Sequence, residues 1–102
     1  MRRLAPRPLR RALDDALERA APQGLLARVQ AVWPEVAGPV VAEESAPVSE
    51  RQGTVTVACR SAVWAQELEL LASDLTGRLN ARMATTQGGP GVTALRFVVR
   101  DP

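Results

Sequence analysis

The sequence has no histidine, no lysine and no tyrosine, and its 102 residues include a single cysteine, Cys59. Without imidazole, neither a histidine-based catalytic triad nor a zinc site with a histidine ligand is possible. One thiol makes no internal disulfide and no CxxC motif, a usage that fits a reducing compartment. Aromatic residues are scarce: Trp33, Trp64 and Phe97 are the whole set. No apolar run nears the roughly 18 residues of a membrane span, and Met1-Arg2-Arg3 is not followed by an apolar signal core. These absences predict a soluble, cytoplasmic protein with no metal, no cofactor and no membrane partner.

What is present allows one domain, since domains typically hold about 100–150 residues. A chain of this size removes roughly two-thirds of its surface from water on folding. Of the 46% hydrophobic residues, 17 are alanine, with 12 leucines and 12 valines. The core is therefore built from small and aliphatic side chains, with the tryptophans as its large anchors. All 13 basic residues are arginine, against 11 acids, which leaves a net charge of +2 and a pI near 9.9. Arg2, Arg3, Arg7, Arg10 and Arg11 precede any acid, whereas Glu35, Glu43, Glu44 and Glu50 make the middle acidic. Exclusive use of arginine is also what codon bias produces, so only placement on a fold gives it functional meaning.

Residues 1–8 read as a flexible basic arm with two prolines. Leu9, Leu13, Ala16, Leu17 and Ala20 recur at helical spacing and predict a first helix over Pro8–Ala21. After Pro22-Gln23-Gly24, the stripe Leu25, Leu26, Val29, Val32 and Trp33 predicts a second. Pro34 is expected to kink or restart it, with another break possible at Gly38-Pro39. A hairpin follows, turning at Gln52-Gly53 into Thr54–Cys59, where Val55, Val57 and Cys59 share one face. Ser61 is a candidate N-cap for one long helix to about Met83. Its expected buried stripe is Trp64, Leu68, Leu71, Leu75 and Leu79, widened by Val63 and Leu70, with Trp64 as the main core anchor. Gly77 lies opposite that stripe. Val92–Arg100 alternates as a last strand. The order predicts an α+β fold, with helices on one face of a three-stranded sheet.

Catalytic motifs are missing: there is no GxxxxGK[ST], no GxGxxG and no GxSxG, and no carboxylate pair is placed for acid–base work. Gly88-Gly89-Pro90-Gly91 formally matches a GxxG loop but joins a helix to a strand, so it reads as a connector. The arginines carry more. Strand parity puts Arg60, Arg96 and Arg100 on the uncovered sheet face, among Thr54, Thr56, Ala58 and Val98. Guanidinium groups on such a platform hold phosphates and stack on unpaired bases. With no aromatic there, binding is expected to be weak and led by the phosphate backbone.

Val32-Trp33-Pro34-Glu35-Val36-Ala37-Gly38, then Gly53–Val57, then Ser61-Ala62-Val63-Trp64-Ala65-Gln66-Glu67-Leu68, then Leu79-Asn80 resemble the DciA family. The resemblance runs from about Leu25 to Val99. It implies a KH-like (pseudo-KH type II) domain over residues 9–102, with helix, kinked helix, two strands, long helix and strand. Trp33, Gly38, Trp64, Leu68 and Leu71 match the family's structural pattern, and Gln66, Glu67 and Asn80 match polar positions without an assigned role. It further implies a non-enzymatic, nucleoid-associated adaptor whose partners are the replicative DNA helicase (DnaB-type) and DNA, single-stranded or forked. Family members often carry a long extension; here the arginine-rich stretch Arg2–Arg11 is the expected substitute. Two other readings stay open, a protein-interaction module with no nucleic-acid role and a KH-like RNA-binding protein.

Overall fold

The structure, a computed structural model, describes residues 24–86 and 89–101. The predicted basic arm and first helix lie outside the described residues, and with them Arg2, Arg3, Arg7, Arg10 and Arg11. Helix α1 (Leu25–Ala37) and a short α2 (Pro39–Glu44) precede a hairpin of β1 (Ser45–Arg51) and β2 (Thr54–Cys59). Helices α3 (Ala62–Leu70) and α4 (Ala72–Thr86) then lead to β3 (Ala94–Val99). The sheet order is β1-β2-β3, with β1 antiparallel and β3 parallel to the central β2. This is the expected α+β architecture, and its element order is consistent with a KH-like fold.

Each turn has a local cause. Gln52 and Gly53 both have positive φ (52° and 88°), the two-residue turn whose twist matches that of the flanking strands. A side chain at Gly53 would fall onto the Thr93 hydroxyl, and the Gly53 carbonyl accepts the Thr93 N–H at 2.9 Å, so hairpin and β3 entry are tied together. The α1–α2 corner depends on Gly38, at φ 95° and ψ 156°, a conformation unfavourable for any residue with a Cβ. Pro39 then begins α2, where a fixed φ and a missing N–H cost nothing.

The core lies between the sheet and the helices. Val55, Val57 and Cys59 of β2 meet Val29, Val32 and Trp33 of α1, Leu68 of α3, and Leu75, Leu79 and Met83 of α4. Trp33 is 2% exposed, and its Nε1–H donates to Ser45 Oγ at 3.2 Å. The Ser45 hydroxyl in turn donates to the Val41 carbonyl at 2.7 Å. Burial pushes the Cys59 thiol pKa up, so it stays protonated and unreactive.

Three expectations are corrected. Pro34 does not restart the second helix: α1 continues through it to Ala37, and the chain breaks at Gly38, whose N–H donates to the Pro34 carbonyl at 3.0 Å. The single long helix is two helices, because Leu71 leaves helical geometry (φ −101°, ψ 7°) and donates its N–H to Leu68 O. Helix α3 lies against β2 and β3, and α4 against α1 and β3, with Leu79 and Met83 in the shared core. In consequence Leu71, Leu70 and Val63 are exposed rather than part of the buried stripe, Leu70 by 78%. Finally, Trp64 is half-buried against the core, and the fully buried anchor is Trp33.

Gly77 is exposed within α4, and a methyl group built on it meets nothing within 4 Å. Gly77→Ala is expected to stabilise the protein by about 0.5–1 kcal/mol, chiefly by restricting the unfolded chain. A urea midpoint that falls instead of rising would contradict this placement.

Candidate nucleic-acid interface

The pairing register fixes which side chains share the sheet face turned away from the core. Its rows are Arg51–Thr54–Ala94, Ser49–Thr56–Arg96 and Ala46–Ala58–Val98. None of these nine positions is acidic. Arg51 and Arg96 are exposed and belong to no ion pair among the described residues. Two strand spacings separate their strands, about 10 Å.

Arg60 and Arg100 follow the last paired row. The Arg60 N–H donates to Glu44 O at 3.0 Å and the Arg100 N–H to Cys59 O at 2.8 Å, so the pairing runs one residue beyond the strands. Parity then places both on the same face, at the end opposite the hairpin turn. Arg60 is partly committed, since its Nε–H donates to Glu43 O at 3.1 Å. Ala58, between the half-buried Ala46 and Val98, has no accessible surface, so the face is closed at that row, which separates the Arg51/Arg96 end from the Arg60/Arg100 end.

Arg51 is the residue that sequence reasoning missed. A two-residue turn at Gln52-Gly53 pairs Arg51 with Thr54, and counting outward from that turn would have placed it on the face of Thr54 and Thr56. The remaining described arginines have structural duties. Arg82 grips Glu35 through Nε (2.6 Å) and Nη2 (3.1 Å), linking α4 to α1, and Arg78 pairs with Asp74 within α4. Arg28 is 4% exposed and donates through Nη1 to the Pro90 carbonyl at 2.6 Å. That bond pins the glycine-rich segment as a connector between α4 and β3.

The polar residues of the family-like segments separate in the same way. Asn80 clamps the entry to β3: its Nδ2 donates to Val92 O at 2.9 Å, and its Oδ1 accepts the Val92 N–H at 2.6 Å. It therefore positions Arg96 and Arg100 without belonging to the face. Gln66 and Glu67 are exposed on α3. Ser61 caps that helix by accepting the Trp64 N–H at 3.3 Å. No group of acidic or cysteine side chains among the described residues is placed to hold a metal ion, and no described helix is long and apolar enough to cross a membrane.

Comparison with known proteins supplies the family. The model for DciA, "Dna[CI] antecedent", matches residues 8–97, most of the chain. The chain belongs to the DciA family. It is similar to a UPF0232 protein of Streptomyces avermitilis, at 36% identity over 87 residues, covering 76% of this chain and 45% of that protein. A UPF0232 protein of Mycobacterium ulcerans is 28% identical over 94 residues, covering 90% of this chain and 48% of its own length. The chain thus spans about half the length of these relatives. DciA proteins are associated with loading of the replicative DnaB helicase. Of the positions in that family pattern, Trp33 and Leu68 are buried, Gly38 forms the α1–α2 corner, Trp64 is half-buried and Leu71 is exposed at the helix junction.

Proposed function

We propose that this DciA-family chain is a non-enzymatic adaptor of DNA replication. It holds DNA on the open sheet face and helps recruit or load the DnaB-type helicase. The observation that carries the DNA half is the Arg51/Arg96 end of the face, whose rows hold no acid and whose two guanidinium groups are exposed outside any ion pair among the described residues; Arg60 and Arg100 extend it beside Glu44. Arg2, Arg3, Arg7, Arg10 and Arg11 add basic charge from the N-terminal segment. A single strand suits the face better than a duplex: a three-stranded surface offers separated guanidinium groups to successive phosphates. The helical side, with Val63, Leu70 and Leu71 exposed, supplies the apolar surface that a protein contact uses. Nucleoid association follows from the DNA contact.

Anisotropy titration of a labelled single strand at several salt concentrations tests this reading. With three or four phosphate contacts, log K is expected to fall against log salt with a slope of about −2 to −3. Absence of binding at low salt, or a slope near zero, would remove the DNA half. Stable helicase binding with the arginines neutralised and nucleic acid absent would leave the protein-interaction module standing alone.

A further inference from the structure

The two edges of the sheet differ. On the β1 edge, Pro47 has no N–H to offer, and its carbonyl already accepts Gln30 Nε2–H from α1 at 3.1 Å. The register also shifts between Pro47 and Ser49. A proline, a bulge and a covering side chain are devices that close an edge to further pairing.

The β3 edge has none of them. The Arg100 N–H bonded to Cys59 O sets the parity of the parallel ladder: residues 94, 96, 98 and 100 turn their backbone groups towards β2. The N–H and C=O groups of Leu95, Phe97 and Val99 therefore point out of the sheet. Among the described residues no further strand lies beyond β3, and no side chain hydrogen-bonds to these groups. An uninterrupted free edge of this kind is a template for another strand.

We propose that the β3 edge takes up an extended acidic segment of a partner protein as a fourth strand. The two sides of β3 specify its character. Leu95 and Phe97 are half-buried on the helical side and Val99 is exposed there, whereas Arg96 and Arg100 are exposed on the open side without an ion pair among the described residues. A strand laid alongside is complementary when apolar residues alternate with carboxylates, because directly opposed side chains interact and like charges repel. A second copy of β3 fits less well, since it would bring Arg96 and Arg100 of both strands onto one face. The backbone pairing does not depend on the DNA reading; Arg96 and Arg100 would meet either the carboxylates of this segment or DNA phosphates, so the two ligands should compete.

The test is an NMR titration of the full, isotope-labelled chain with an octapeptide of alternating valine and glutamate. Amide shifts are expected along 94–100, with slowed hydrogen exchange at Leu95, Phe97 and Val99. A valine–lysine peptide should bind roughly tenfold or more weakly, by loss of the opposed charges. The valine–glutamate peptide N-methylated at alternate residues should not bind. Val99→Pro removes an edge N–H that makes no bond to β2, so the variant should keep its fold and lose the peptide. Shifts confined to the N-terminal arginines or to Val63 and Leu70, or equal binding of the methylated peptide, would overturn the proposal. So would a concentration-dependent dimer that by itself slows exchange at these three amides.

Discussion

Trp33→Ala is expected to destabilise the protein by about 3–5 kcal/mol, as full removal of a buried large side chain does. Small domains have only about 5–15 kcal/mol of net stability, so this one substitution should remove a large share of it and lower the urea midpoint strongly. Two contributions combine. The indole fills the space between α1, β1 and the sheet, and its 2% exposure leaves little room for water to replace it. Its Nε1–H also satisfies Ser45 Oγ, itself 1% exposed. Trp33→Phe separates the two, since it keeps most of the volume and removes the donor; about 1 kcal/mol is expected for that hydrogen bond. Trp64→Ala provides the contrast. Trp64 is half-buried, so its loss should cost clearly less than that of Trp33 in the same urea titration. Equal losses at the two positions would mean that the core is not centred on α1.

Charge reversal of the open face, Arg51→Glu with Arg96→Glu, is the second large effect. Each phosphate contact to a single strand adds about 0.7 to the salt slope, so two contacts are worth roughly 1.8 log units between 1 M and 50 mM salt. Affinity at 50 mM salt is therefore expected to fall roughly 60-fold or more, and the slope to lose about 1.4. Both side chains are exposed and outside any ion pair among the described residues, so the unfolding free energy from a urea titration should stay within about 0.5 kcal/mol of the parent. Ala62→Glu, Gln66→Glu, Ser73→Glu and Ala81→Glu together are the control, because they lower net charge by the same four units at exposed positions of α3 and α4. If that control weakens DNA binding as strongly, the effect belongs to net charge and not to the platform.

The candidate site was only partly legible in the chain. Arg96 and Arg100 follow from the alternation of the last strand, which is a local property. Arg51 does not show by alternation, because its neighbours Ser49 and Glu50 follow the bulge at Val48; counting outward from the Gln52-Gly53 turn reaches it, and the β2–β3 register sets it beside Arg96. The same bulge and Pro47 make β1 a closed edge, while the regular β3 stays open. Asn80 was visible as a polar residue one position after buried Leu79, but its duty is set by Val92, twelve residues away. Arg28, which nothing in the sequence singles out, is almost entirely buried and donates to the Pro90 carbonyl.

By itself the sequence determined the element types, the hairpin turn at Gln52-Gly53, the Ser61 cap and the absence of catalytic histidine chemistry. Each of these depends on periodicity, on φ preference or on composition, all carried by neighbouring residues. Tertiary structure decided that α1 runs through Pro34, that the long helix divides at Leu71, that Trp33 outranks Trp64 as the core anchor, and that Arg51 joins Arg96 on one face. Those outcomes depend on which surfaces meet across the fold. A helix divides where its two halves have different neighbours, and a side chain is buried only when distant residues close over it.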